Sequence, residues 1–438
     1  MTAQPKIIVL DDDPTGSQTV HSCLLLTRWN VETLRVGLRD ASPIFFVLTN
    51  TRALPPEEAE AVTREVCRHL KDAIALENIQ DFLIVSRSDS TLRGHYPIET
   101  DVIVEELGLF DAHFLVPAFF EGGRFTRDSV HYLIVNGVPT PVHQTEFARD
   151  SVFSYNYSYL PDYVQEKTKG RIQAENVERF LLADIRAGSF DRLMKLTDNQ
   201  CGVVDGETQA DLDQFAADIL KAASHGKRFL FRSAASILTS LAALGPQPIA
   251  AEKMAKYVRG GKPGAVIVGS HVKKTTEQLE QLLKEPSITG IEMDVAHLLE
   301  DSPEKRATLL KDTLEKVYAA HQGGKTPVVY TSRRELTFDS IQVRLNFGSA
   351  VSSLLMDIVR GLPVDIGFLI SKGGITSNDV LSTGLALTTA RILGQILAGC
   401  SVVRTPANHP QFPDLPVVLF PGNVGDAEAL ATVYRRLN

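Results

Sequence analysis

Lys6-Ile7-Ile8-Val9-Leu10-Asp11-Asp12-Asp13-Pro14-Thr15-Gly16 is the stretch that decides how this chain folds. Its apolar run has the length and β-branched content of a buried strand, and it stops at a cluster of carboxylates and turn formers. That is a strand end delivering polar groups. Working outward, apolar runs at 44–48, 82–85 and 114–116 alternate with helix-like stretches, notably 56–76, where apolar positions recur every three or four residues. Alternation of this kind predicts a parallel sheet, whose ligands gather beyond the carboxyl ends of the strands. The polar clusters follow that rule: the aspartates after Leu10, Ser86-Arg87-Ser88-Asp89-Ser90-Thr91-Leu92-Arg93-Gly94 after Val85, and Pro117 to Arg124 after Val116.

A second series follows the glycine- and proline-rich stretch Gly260-Gly261-Lys262-Pro263-Gly264. Runs at 265–268, 328–330, 367–370 and 417–420 end in Gly269-Ser270-His271, Thr331-Ser332-Arg333, Ser371-Lys372-Gly373-Gly374-Ile375-Thr376 and Pro421-Gly422-Asn423-Val424-Gly425-Asp426. Here glycine and hydroxyl residues replace aspartate and arginine. A length of 438 residues also favours two domains. We place them at 1–245 and 265–438, with 246–264 as the linker. The predicted class is α/β, each domain a largely parallel sheet flanked by helices.

Composition narrows the function. With 44% hydrophobic and 22% charged residues the chain is ordinary and globular. A net charge of -8, with no basic run or basic aromatic stripe, argues against a nucleic-acid partner. Cys23, Cys67, Cys201 and Cys400 lie far apart with no C-x-x-C pair, which fits a reduced compartment and no local zinc site. No window approaches a membrane span and no leader pattern opens the chain, so the expectation is a soluble, cytoplasmic protein without a membrane partner.

Glycines beside hydroxyl residues just past a strand let backbone N–H groups approach a phosphate. Lys372 to Asp379 has the parts, though alone it reads equally as a capped strand–helix turn. No G-x-x-x-x-G-K-[ST] or early G-x-G-x-x-G occurs, which excludes the common nucleotide loops. In the N-terminal half, aspartates suit sugar hydroxyls and arginine suits a planar carboxylate, which singles out Asp12, Asp89 and Arg93. Solvated turns and surface ion pairs are the plainer readings of the same residues. The histidines lack metal-ligand spacing, and the aromatic patch Phe153 to Tyr159 reads as packing, a loop over a site or a subunit contact.

On these residues the chain resembles the four-carbon acid sugar kinases, a family formerly described as a domain of unknown function. The resemblance spans nearly the whole chain. It rests on Asp11 to Gly16 for D-D-x-T-G with one extra residue, Asp89 to Gly94 for D-S-T-L-R-G, Pro117-Ala118 with Gly123-Arg124, Asp205 to Thr208 for D-x-E-T, Gly269-Ser270, Gly373 to Thr376, and Gly422 to Gly425. Arg232 to Ser236 stands where the family is richer in glycine, and Thr331-Ser332-Arg333 lacks a glycine often found there.

The resemblance implies an ATP- and Mg²⁺-dependent kinase acting on a tetronate or oxo-tetronate, with acid sugar on the N-terminal domain, ATP on the C-terminal domain and reaction in the interdomain cleft. It puts Asp12, Asp89 and Arg93 on the catalytic and substrate side, with Asp11, Asp13, Thr15, Ser90 and Arg124 around them. Ser270, Ser332, Lys372, Gly373, Gly374, Thr376, Gly422, Asn423 and Gly425 fall on the nucleotide side. Asp12 ranks ahead of Asp89 as the base, Asp379 and Asp426 are candidates to help hold Mg²⁺, and the metal ligands otherwise stay open. A homo-oligomer is compatible with this reading. The alternative is a regulatory protein of the same fold that binds a sugar acid and nucleotide without turnover.

Overall fold

The computed structural model describes residues 4–299, 302–333, 341–422 and 424–438. They divide into two compact units, Met1–Pro246 and Gln247–Asn438. In the first, the strands in chain order are β1 (Lys6–Asp11), β2 (Leu24–Leu26), β3 (Ile44–Leu48), β4 (Phe82–Arg87), β5 (Ala112–Val116), β6 (Arg124–Arg127), β7 (Val130–Val135), β8 (Val138–Pro141), β9 (Glu178–Phe180), β10 (Gln200–Val204) and β11 (Phe229–Ser233). One parallel sheet runs β2-β3-β1-β4-β11-β5-β10-β9, while β6, β7 and β8 form a separate antiparallel sheet.

Burial explains the opening motif. From Ile7 to Asp11 every residue of β1 is buried, because a central parallel strand is covered on both faces. Ile8 and Leu10 share a core with Phe45, Val47, Ile84 and Leu230. The helix Pro56–Glu77 covers it through Val66, Cys67, Leu70 and Ala73, the three- and four-residue spacing read from the sequence. At roughly 1.5–3 kcal/mol per fully buried apolar side chain, this packing fixes the strand ends despite the carboxylates they carry. From β1 the chain passes to β3 on one side and later to β4 on the other. The ends of β1 and β4 therefore flank the topological switch point, where an open parallel sheet binds its ligand.

The second unit contains β12 (Ala265–Val268), β13 (Ile288–Met293), β14 (Thr326–Thr331), β15 (Leu369–Lys372), β16 (Thr389–Leu397), β17 (Cys400–Arg404) and β18 (Pro416–Phe420). Their order is β13-β14-β12-β15-β18-β17-β16, parallel as far as β18 and antiparallel beyond it.

Two readings shift. The segment 246–264, expected as a linker, packs with the second unit from Gln247 onward: Met254 enters its core, and Gln247 exchanges hydrogen bonds with the backbone of Gln395 at 2.8 and 3.0 Å. Its glycine and proline content signalled turns, not a free spacer. The strand expected at 367–370 lies two residues later, which moves Ser371 and Lys372 from loop into sheet. All four cysteines are buried and free, and no helix among the described residues is long and apolar enough to cross a membrane.

Candidate functional site

In the first unit, carboxylates from the end of β1 meet guanidinium groups from the ends of β3 and β4. Arg52, on the turn after β3, donates from Nε to Asp12 Oδ2 at 3.1 Å, pairs through Nη2 with Asp12 Oδ1, and reaches Asp13 Oδ2 at 3.4 Å. Arg87, at the end of β4, lies 3.4 Å from Asp11 and 3.9 Å from Asp12. The repulsion expected of three adjacent carboxylates is thus relieved by two arginines. Ser88 completes the set, donating 2.6 Å to Asp12 Oδ2 and receiving 2.6 Å from Arg232, which also binds Glu99 at 2.6 Å.

Glycines at two places let these groups come together. A Cβ on Gly16 would fall 2.0 Å from the Asp11 carboxylate, and one on Gly94, whose φ is +120°, would fall 2.4 Å from Ser88 Oγ and 2.5 Å from Arg232 Nη2. The closing glycines of both motifs are steric requirements.

The carboxylates differ in charge state. Burial pushes Asp11 up to about 8, outweighing Arg87, so it carries a proton at neutral pH. Asp89 is also buried, but Arg93, Arg52 and the bonds from Arg93 and Thr91 overcome that and hold it well below the usual carboxylate range. Arg93 is committed to Asp89 at 2.8 Å and Asp150 at 3.5 Å, and its guanidinium lies 4.9 Å from the centre of the Phe147 ring. Arg124 is less engaged: it donates to the Gly122 carbonyl, and its buried Nε has no acceptor among the described residues.

The D-S-T-L-R-G loop is fixed from beneath. His131 Nε2 bonds the Ser90 carbonyl at 2.8 Å, Tyr155 donates to that of Thr91 at 2.7 Å, and Tyr163 to that of Leu92 at 2.8 Å. The aromatic patch therefore supports the loop. Asp205 of the D-x-E-T segment accepts from the backbone N–H groups of Asp128 and Ser129, both at 2.8 Å, and Thr208 caps the helix Gln209–Ala223; this motif is architectural. Between Asp89, Arg93, Tyr163 and Arg232 remains a cavity of about 20 Å³, room for one water.

The second unit carries a pocket of about 650 Å³. Its lining combines polar residues, Ser270, His271, Arg333 and Thr376 with the Gly373–Gly374 turn, and apolar ones, Val295, Val351, Leu355, Met356 and Ile375. Gly373, at φ +121°, sits so close to Ser270 that an added Cβ would lie 3.0 Å from the serine Cβ. Gly422 lies beside Ser270 as well, and Gln278 holds the loop around Gly425 through the carbonyls of Val424 and Asp426 at 2.9 and 2.7 Å. Asn423 lies outside the described residues.

Two expected nucleotide contacts are corrected. Lys372 is 0% exposed, with Nζ donating 2.6 Å to the Pro421 carbonyl and lying 4.1 Å from the centre of the Phe420 ring; burial lowers it to about 7. Its ammonium holds the loop that follows β18 instead of facing the pocket. Ser332 is buried and accepts from the Val295 N–H at 3.3 Å, shaping the pocket wall. Thr15, half-buried, donates to Asp13 from its N–H at 2.8 Å and from its hydroxyl. Asp379 lines the pocket and accepts from Asn378 at 3.1 Å and from Ser352, whereas Asp426 caps the backbone of Glu428 at 3.1 Å. Among the described residues no cluster of three or more His, Cys, Asp or Glu side chains forms a metal cage. Mg²⁺ needs none, since it commonly takes one or two protein carboxylates together with substrate phosphates and water, so Asp379 fits.

Sequence reasoning gave no individual site role to Arg52, Arg87, Ser88, Arg232 or Arg333. Arg52 and Arg87 were legible by the strand-end rule, since Asn50-Thr51-Arg52 follows β3 and Arg87 ends β4. The role of Arg232 depends on β11 inserting between β4 and β5, which no local pattern reveals.

Comparison with known proteins gives the family and the fold. A family described as a sugar-binding N-terminal domain matches residues 7–241, and one described as a nucleotide-binding C-terminal domain matches residues 265–430. A D-erythronate kinase from Heliobacterium modesticaldum is 28% identical over 313 residues, which is 67% of this chain and 64% of that protein's length. A D-threonate kinase from Salmonella typhimurium is 24% identical over 446 residues, covering 97% of this chain and 96% of that protein. Among solved structures, a putative tRNA synthase from Salmonella typhimurium LT2 aligns over 100% of this chain and 99% of its own at a TM-score of 0.73 and 17% identity. A Haemophilus influenzae protein aligns over 98% and 100% at a TM-score of 0.65 and 17% identity. These two likenesses show the fold.

Proposed function

The chain belongs to the four-carbon acid sugar kinase family, and on that premise we propose that it transfers the γ-phosphoryl group of ATP to a hydroxyl of a four-carbon sugar acid. The observation that carries this reading is the 650 Å³ pocket of the second unit. Its glycine turn and hydroxyls offer donors to a polyphosphate, and its apolar lining residues offer contact to a base.

The acid belongs to the first unit. Asp12 Oδ1 accepts from Arg52 and keeps a second lone pair for the acceptor hydroxyl. Arg52 holds the Asp12 carboxylate in place, and phosphoryl transfer, with its loose transition state, asks chiefly for positioning and charge stabilisation. Arg124, whose buried Nε has no acceptor among the described residues, would grip the ligand's carboxylate ahead of Arg93, which is already shared by two aspartates. Asp379 would hold Mg²⁺, which when bound neutralises phosphate charge.

ADP release measured with Mg-ATP and a panel of D-erythronate, D-threonate and their 2-oxo counterparts tests the proposal. Acid-dependent turnover is expected with at least one of them and none with the corresponding neutral polyols. Nucleotide and acid binding without ADP release from any acid would instead favour the regulatory reading.

A further inference from the structure

We propose that Arg333, at the end of β14, is the phosphate-binding cation of the nucleotide pocket, the part that the sequence assigned to Lys372. The inference rests on the kinase reading above for the identity of the ligand and on geometry for the residue.

Arg333 lines the pocket together with Ser270 and the Gly373–Gly374 turn. One guanidinium nitrogen, Nη1, donates to the Ser270 carbonyl, which orients the plane of the group. Nε and Nη2 are buried and have no acceptor among the described residues. These two nitrogens form the side-on fork of a guanidinium, the edge that meets two oxygens of a phosphate with parallel hydrogen bonds.

A folded protein rarely leaves two such donors buried and unpaired unless a ligand completes them. Among the described residues no side chain accepts from them. Asp379, the acidic residue among its lining, already accepts from Ser352 and Asn378. Lys372 is withdrawn into the sheet. Arg344 lines the same pocket and adds positive charge, while His271, made less basic by burial and by Arg333 beside it, adds a neutral donor or acceptor. The fork is therefore the pocket's pre-oriented anion grip, and the ligand it suits is a nucleoside polyphosphate.

The test is equilibrium binding of ATP, ADP and adenosine to the intact native protein and to Arg333→Met and Arg333→Lys. The native protein should bind ATP and ADP well above adenosine. Arg333→Met should lose at least tenfold in affinity for ATP and ADP while holding adenosine as the native protein does. Arg333→Lys, which keeps the charge and loses the fork, should fall between them. Unchanged ATP and ADP affinity in Arg333→Met would overturn the inference and leave the kinase reading standing. Equal loss of adenosine in both variants would also overturn it, by making Arg333 a support for the pocket wall. A native protein that binds no nucleotide would overturn both readings.

Discussion

The two candidate sites are built on the same principle and finished in opposite ways. Both lie beyond the carboxyl ends of parallel strands, where loops and helix N-termini converge. In the first unit, aspartates and arginines are paired with one another and leave a cavity of about 20 Å³. In the second, a pocket of about 650 Å³ stands open with a guanidinium fork unpaired. A ligand with several hydroxyls and one carboxylate can exchange into a ready-made network of charge-assisted hydrogen bonds, each partner already oriented. A polyphosphate carries more charge than such a balanced network can match, so its site keeps donors in reserve. The difference predicts that perturbing the first site disturbs the acid's orientation, affinity and turnover, while perturbing the second disturbs nucleotide affinity alone.

The strongest way to break this contrast is Asp12→Asn, which keeps the shape and removes the charge. Turnover should fall by roughly 10²–10⁴ with ATP KM little changed, as for loss of a positioned acid–base group. Steady-state kinetics at saturating acid checks it, and normal turnover would remove Asp12 from the reaction. Gly373→Val should act on the other side only. The side chain would enter space beside Ser270 and adopt a φ of +121° at a β-branched residue, so ATP KM should rise about tenfold or more while acid KM holds.

A smaller effect sharpens the claim that the acid loop is fixed from below. Tyr163→Phe leaves the Leu92 carbonyl without its 2.8 Å partner and should cost about 1 kcal/mol in urea unfolding, raising acid KM without moving ATP KM. A change in both KM values would mean that Tyr163 supports more than the loop.

Much of this was legible in the sequence, and the boundary has a physical cause. β1, β3 and β12 could be read because strands covered on both faces need unbroken apolar runs, and the helix Pro56–Glu77 because its burial repeats every three or four residues. Asp12, Asp89 and Arg93 could be singled out because strand-end loops concentrate function. Lys372 could not be read correctly: a lysine before two glycines looks like a phosphate ligand until β15 is seen to extend through it and to place its terminal nitrogen over the Phe420 ring. Arg333 was visible but unremarkable, since only the fold shows that its fork has no partner. Long-range placement, as for Arg232 and His131, left no local trace.

The two sites also differ in pH response. Asp11 titrates near 4 when unfolded and near 8 when folded; between those values the native state retains a proton that the unfolded chain has lost, so this group's contribution to stability falls as pH rises. Lys372 titrates near 10.5 unfolded and near 7 folded. The unfolded chain then holds the extra proton, and stability rises with pH across that window. Urea unfolding of Asp11→Asn from pH 5 to 8 should show a flatter decline than the native protein, and Lys372→Met a weaker rise above pH 7. Unchanged slopes would mean that neither group carries the charge state assigned to it.

The division of labour between the units is tested most directly by calorimetric titration of the intact protein with ADP and, separately, with D-erythronate and D-threonate, comparing the native chain with Arg124→Gln and Gly373→Val. The account predicts a crossed result: Arg124→Gln weakens the acid and spares ADP, and Gly373→Val weakens ADP and spares the acid. Loss of both ligands in either variant, or loss of the acid in Gly373→Val alone, would contradict it.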